Sequence, residues 1–319
     1  MDIYYKYSQH LKNIYGVKTY KISLNLPMTC PNRDGTLGKN GCTFCGESGG
    51  TFATKNSLSD ISSQLKNSKI RLRDKYGAKK FIAYFQNYSN TYLPLSQLKN
   101  YITPILNDDR IVEILFSTRP DCINNKYIEK ICNFIKSKNE NMNIGLELGL
   151  QTVNYHTLKA INRGHTLGEF IDSVMIAKKH NLKIGVHLIL NLPEDDKIDT
   201  VENAKILSSL KIDNVKLHAL YIRKGTKMAS EYLNGNLNII PFEQYRERVI
   251  TFLEHLSPQI AVQRFMGNAP KEKTHFINWG KNRWKLKNSI IEEMKKQDSY
   301  QGKKYDYNNG KALKNKGWI

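Results

Sequence analysis

The chain has 319 residues, 40% of them apolar, and a formal charge of +20 from 49 Lys and Arg against 29 Asp and Glu. That is enough apolar material for one large core, and single α/β barrels fall in this size range. No run of about 18 apolar residues is present to span a membrane, and the start MDIYYKYSQHLK lacks the features of a signal peptide, so a cytoplasmic location is expected.

Residues 1–19 read as a short basic, Tyr-rich segment, and KISLNL (21–26) alternates as a first strand does. A Cys-rich stretch, Thr29 to Gly50, follows directly; its Pro, Asn, Asp and Gly content predicts a loop that needs a metal to hold its shape. A polar, basic helix is expected over 57–76. Strand and helix then alternate: strand 79–85, helix 95–106, strand 111–117, helix 128–137 and strand 143–149. The series continues with helix 155–161, a helix opened by a Thr166–Glu169 capping box, strand 182–190, helix 198–210 and strand 214–220. Six strands in such alternation predict an α/β fold with a parallel sheet, a partial or complete barrel whose working face lies at the C-terminal strand ends. Beyond 221 the pattern fades into helix 241–256, a possible strand at 260–265 and a basic helix at 282–296. The division read from this is 1–19 as an N-terminal segment, 20–221 as the barrel, and 222–319 as an appendage that closes the barrel and touches substrate.

Cys30, Cys42 and Cys45 are three of only five cysteines, an odd number that does not form a disulfide framework and suits ligation in a reducing compartment. Their C-x11-C-x2-C spacing can satisfy three irons of a [4Fe-4S] cluster and leave the fourth open. Zinc is the rival, but it wants a fourth ligand, and no His lies between His10 and His156. The positive charge thickens over 271–319, thirteen Lys or Arg against five Asp or Glu, with Tyr300, Tyr305, Tyr307 and Trp318 interleaved. Such a mixture suits RNA, although a Lys- and Asn-rich genome bias gives the same count.

From Cys30 to Cys45 the motif CPNRDGT followed by NGC and TFC resembles the radical S-adenosylmethionine (SAM) proteins of the Elongator-protein-3-like group, in its short bacterial branch lacking the acetyltransferase domain. YFQNYSNTY (84–92), STRPDC (117–122), LELGLQT (146–152), INRGHT (161–166), HLILNLPED (187–195) and KLHALYIRKGT (216–226) extend it over roughly 15–305. The resemblance implies a partial (β/α)6 TIM-like barrel, a [4Fe-4S] cluster on the three cysteines, and SAM bound at the open iron and cleaved to a 5′-deoxyadenosyl radical. It also implies SAM contacts from Phe44, Gln86, Asn87, Glu147, Gln151, Arg163 and His187. Gln86 and Asn87 stand where relatives often have Gly-Gly-Glu. Phe44 and His187 also fit a plain core aromatic and a core histidine, and Glu147 fits a buried ion pair.

Substrate-side candidates are Arg33, Lys39, Arg119, Asp121, Lys224 and Arg264, with Cys122 and His218 as catalytic candidates. Cys122 reads as a hydrogen-atom donor or a space filler, and Cys132 as core. The function implied is tRNA wobble-uridine modification, carboxymethylaminomethyl-uridine to aminomethyl-uridine. The implied partners are tRNA and a reductant such as flavodoxin or ferredoxin, with no membrane or DNA. A radical SAM enzyme acting on a small molecule or a protein, and a zinc-stapled RNA-binding module, are the alternatives.

Overall fold

A computed structural model describes residues 2–47, 49 and 60–317. In chain order its elements begin with helix α1 (Tyr7–Tyr15), strand β1 (Thr19–Leu24), α2 (Ile61–Tyr76), β2 (Lys80–Phe85), α3 (Leu95–Leu106), β3 (Ile111–Thr118) and α4 (Asn125–Lys138). Then come β4 (Asn143–Gln151), α5 (Tyr155–Ala160), α6 (Leu167–Lys179), β5 (Lys183–Ile189), α7 (Lys197–Ser209) and β6 (Asn214–His218). The chain continues through β7 (Ile222–Arg223), α8 (Lys227–Leu233), α9 (Phe242–His255), β8 (Ala261–Arg264), β9 (Thr274–Phe276), α10 (Arg283–Lys296) and α11 (Lys311–Asn315). The start of the helix expected from 57 lies outside the described residues. No helix among the described residues is long and apolar enough to cross a membrane.

β1 to β6 and β8 form one seven-stranded sheet in sequence order, every neighbouring pair parallel. The segment at 260–265 is thus a full member of the sheet, one strand beyond the six expected. Its outer face is apolar: Ile22, Ala83, Ile114, Leu146, Val186 and Val215 are all within 5% of full burial and pack against the helices in a single core. The sheet curls into a partial barrel, so that Lys21 on the first strand reaches Glu147 on the fourth and Gln263 on the last.

The N-terminal segment departs from the sequence reading. It forms α1, whose Leu11 packs with Ile82, Tyr84 and Leu115 on the inner face of the barrel, joined by Tyr7 and Tyr15. Tyr15 donates to Glu113 at 2.5 Å. Tyr5 O accepts from Val262 N at 2.8 Å, which lays this segment along the exposed edge of β8. The Tyr-rich composition is therefore that of a plug with polar tips, since tyrosines bury a ring and leave a hydroxyl to pair.

The residues after α10 also pack against the body. Gln301 accepts from Tyr5 N at 2.9 Å and donates to Ser257 O and Ile260 O at 2.7 and 2.8 Å. Lys304 pairs with Glu254, and the Tyr307 hydroxyl donates to His255 O at 2.6 Å. Tyr307 is committed to the fold, while Tyr300 is half exposed at 50%; Trp318 lies outside the described residues.

The expected box at α6 is present: Thr166 N donates to Glu169 Oε2 at 2.7 Å and Glu169 N to Thr166 Oγ1 at 3.4 Å. It ends the loop that carries Arg163 and so fixes where that side chain starts.

Candidate active site

The Cys-rich loop leaves the C-terminal end of β1 and is fastened from three sides. Asn87, at the end of β2, accepts from Leu26 N at 2.9 Å and donates to Leu26 O at 2.6 Å. Asn32 Nδ2 donates to Asn162 O at 2.8 Å, and Asn162 Nδ2 to Gly41 O at 2.8 Å. Arg33 Nη2 donates to Cys45 O and, at 2.9 Å, to Gly46 O. These bonds replace the regular backbone ladder that a Gly- and Asn-rich segment lacks.

The three cysteines line one cavity of about 180 Å³ at the mouth of the barrel. All three are free thiols. Arg163 Nη1 lies 3.4 Å and Asn32 Nδ2 3.8 Å from Cys42 Sγ, donors of the kind that tune cluster sulfurs. Burial, and then the Cys42 thiol beside it, pushes the Cys45 thiol up, a bias that a bound metal ion's charge reverses. Among the described residues no three His, Cys, Asp or Glu side chains converge as a single metal ion requires. Three thiols set around one cavity fit a cluster in which each binds a different iron.

Several expected cofactor contacts meet here. Phe44, Gln86, Gln151, Arg163 and His187 share the cavity wall with the cysteines. Gln151 sits at a bulge where β4 meets β5, with φ of 78°, a left-handed conformation unusual for a side-chain-bearing residue and typical of functional sites. Gly149 lets this happen: a Cβ there would stand 2.8 Å from Arg163 Nη2 and 2.9 Å from Gln151 Nε2. Arg163 in turn donates to Gly149 O at 2.7 Å.

Others are placed elsewhere. Asn87 is a strut for the loop and is not on the cavity wall. Glu147 is also off that wall; its fully buried carboxylate accepts from Lys21, from His187 Nε2 at 2.6 Å, from Gln263 Nε2 at 2.8 Å and from Lys216 Nζ at 3.0 Å. With so many donors it stays ionised, well below the usual carboxylate range although burial opposes this. Burial and then Lys216 lower the His187 imidazole to about 4, so it is neutral at pH 7.

Of the substrate-side candidates, Arg33, Arg119, His218 and Arg264 line the cavity. Arg119 is held in a two-bond fork by Asp121, at 2.8 and 2.5 Å, while its Nη1 is buried without a partner among the described residues. Asp121 thus orients Arg119 and does not itself face the cavity. Cys122 is off the wall too: its Sγ points to Asp121 Oδ1 at 3.8 Å, and burial pushes its thiol up to about 12. A hydrogen-atom donor must reach the radical, so this placement counts against that role. Lys39 and Lys224 are exposed and lie off the wall.

Sequence reasoning passed over Tyr84, Ser117, Lys216 and Tyr221, all on this wall. Strand parity was the available signal. Lys216 and His218 alternate with core Val215 and Leu217, and Tyr84 and Gln86 with core Ala83 and Phe85, so each pair faces the lumen.

A parallel partial barrel with a thiol triad and an adjoining polar cavity at its C-terminal mouth defines a cluster-bearing barrel enzyme. Residues 35–207 match the radical SAM superfamily and 212–296 its C-terminal domain, and the chain belongs to that superfamily. Its cofactors are a [4Fe-4S] cluster and SAM. The chain is 34% identical over 300 residues to the uncharacterized protein YtqA of Bacillus subtilis, covering 94% of this chain and 92% of that protein. It is 25% identical over 159 residues to a tRNA uridine(34) acetyltransferase of Methanocaldococcus jannaschii, covering 48% of this chain and 27% of that protein. The fold matches that of Elp3 from Methanocaldococcus infernus with a TM-score of 0.69 at 16% identity, over 89% of this chain and 64% of that one. The protein is thus a radical SAM superfamily enzyme whose fold is like that of Elp3.

Proposed function

We propose that the enzyme acts on the wobble uridine of tRNA and converts its carboxymethylaminomethyl side chain to aminomethyl. The similarity to a tRNA uridine(34) acetyltransferase carries this reading, and the net charge of +20 supports a polyanionic substrate. When bound, the cluster and SAM supply a 5′-deoxyadenosyl radical that takes a hydrogen atom from substrate carbon. Arg163 and Gln151 line the same cavity as the cysteines, which supports their holding the carboxylate and the ribose of SAM respectively, since an Arg fork matches a carboxylate. Phe44 covers the site from the apolar cluster of Ile189 and Leu220, which keeps water from that side.

On the substrate, the glycine-type N–CH2 carbon loses a hydrogen atom, then one electron to an external acceptor and one proton, giving an imine. Water adds to the imine carbon, and cleavage of the C–N bond leaves aminomethyl-uridine and glyoxylate. Deletion of the gene, followed by mass spectrometry of nucleosides from total tRNA, tests this. Carboxymethylaminomethyl-uridine should accumulate as the aminomethyl-derived nucleosides fall; an unchanged wobble-uridine profile would overturn the assignment.

A further inference from the structure

The inner wall of the barrel holds more buried cations than anions. Lys21 and Lys216, with side chains 15% and 11% exposed, surround the fully buried carboxylate of Glu147, while Glu113, the second buried carboxylate on this wall, accepts from the Tyr15 hydroxyl near the start of β3. Arg264, on the last strand, adds a third cation to the group. Its Nη2 lies 3.1 and 3.2 Å from the two ring nitrogens of His218, and its Nε is buried with no partner among the described residues. His218 is held neutral by burial and by this guanidinium, so it adds no further positive charge. Around Glu147, Lys21, Arg264 and the partly protonated Lys216 stand against one carboxylate, and the positive charge left over is one that burial penalises until an anion arrives.

The position of this excess is informative. A second cavity, about 890 Å³, opens sideways between β1 and β8, and it shares Tyr84, Gln86, Lys216 and Arg264 with the cavity that holds the cysteines. Among the described residues neither wall carries an Asp or a Glu. The wall of the lateral opening adds Lys6, Lys12, Lys18 and Lys287, with Trp284 58% exposed at its rim. An anionic molecule entering from the side meets rising positive charge and reaches Lys216 and Arg264 where the two cavities join.

We propose that Arg264 and Lys216 form an oxyanion-binding subsite for the carboxylate of the substrate side chain, holding the adjacent carbon against the cluster cavity. This rests on the substrate being carboxymethylaminomethyl-uridine. Arg presents a planar fork and Lys a point charge, the pairing that a carboxylate at the end of a flexible chain needs to be fixed in direction. The carboxylate of SAM and an RNA phosphate share this chemistry and are separated by the test.

The test uses the anaerobically reconstituted holoenzyme without reductant, so that no turnover occurs. Binding of two anticodon stem-loops, one with carboxymethylaminomethyl-uridine and one with aminomethyl-uridine at the wobble position, is followed by fluorescence anisotropy, and SAM binding by equilibrium dialysis. The wild type should favour the carboxylated RNA by about tenfold or more, as a charge-assisted pair implies. Arg264→Gln and Lys216→Met should each erase that preference and leave SAM and the aminomethyl RNA bound as before. Arg264→Lys, which keeps the charge, covers the case in which the glutamine variant fails to fold, and should retain part of the preference. Variants that keep the full preference would overturn the proposal. So would a fall in SAM affinity, which would assign the site to the cofactor carboxylate, or an equal loss for both RNAs, which would assign it to phosphate.

A wild type that binds neither RNA sinks the tRNA reading, and the subsite is then judged by iminodiacetate alone. That dicarboxylate, of net charge about −1 at neutral pH because its amine is protonated, should raise the melting midpoint of the wild type and not of Lys216→Met. An equal shift in both, or none, would overturn the subsite.

Discussion

Glu147→Gln tests the electrostatic design of the lumen. In the wild type the carboxylate accepts from Lys21, His187, Gln263 and Lys216 with no exposure to water. The substitution preserves shape and removes the only negative charge in that group. Breaking a buried pair in this way costs about 3–5 kcal/mol, and at this chain length about 2 °C per kcal/mol gives a fall in Tm of roughly 6–10 °C. The loss should depend on pH through Lys216. Burial, opposed by Glu147, holds that ammonium at about 7 against 10.5 for the free side chain. Between those values the unfolded chain binds the proton and the folded chain does not, so stability rises with pH across the window and the penalty is complete below it. Without Glu147 the folded value drops further, and the penalty below pH 7 grows. Calorimetry at pH 6 and pH 9 should therefore show a larger fall at pH 6. A fall under about 2 °C, or the same fall at both pH values, would refute the reasoning.

His187 gives a second pH signature. Its folded value of about 4 lies below the free value of 6.5, so the unfolded chain binds more protons between them and stability is lost as pH falls through that window. His187→Gln should flatten the Tm profile there, read by circular dichroism melts. Arg33→Ala removes the donors to Cys45 O and Gly46 O and should lower retained iron after a chelator challenge; unchanged iron would return Arg33 to a purely substrate-facing role. Gln301→Ala orphans Tyr5 N and Ile260 O and leaves Ser257 O with Ile260 N as its donor, and at about 1–3 kcal/mol for each buried group left unpaired it should destabilise strongly in chemical denaturation. A change under about 1 kcal/mol would show that water replaces the amide.

The barrel was legible because its outer face obeys simple rules. Strands such as IVEILFS and LKIGVHLIL carry the apolar runs of a sheet covered by helices, and the Cys spacing stands out against a cysteine-poor chain. The inner face was harder to read. Lys21, Tyr84, Glu147 and Lys216 answer one another across strands that are far apart in sequence, and a polar residue in an alternating strand looks solvent-facing until the sheet curls. For the same reason the stretch that forms α1 read as a short basic, Tyr-rich segment, since Tyr7, Leu11 and Tyr15 form an apolar stripe only against a lumen. Asn87 and Cys122 follow strand ends, where the chain turns, and their direction is set by loop hydrogen bonds that no periodicity reports.

The central claim is that this barrel directs radical chemistry at RNA. Anaerobic incubation of the reconstituted protein with SAM, dithionite and tRNA, with 5′-deoxyadenosine quantified by liquid chromatography, tests it most directly. The account predicts formation that rises with tRNA and is lost when Cys42 is replaced by alanine. Formation at the same rate with and without tRNA, or only with a small-molecule additive, would contradict it.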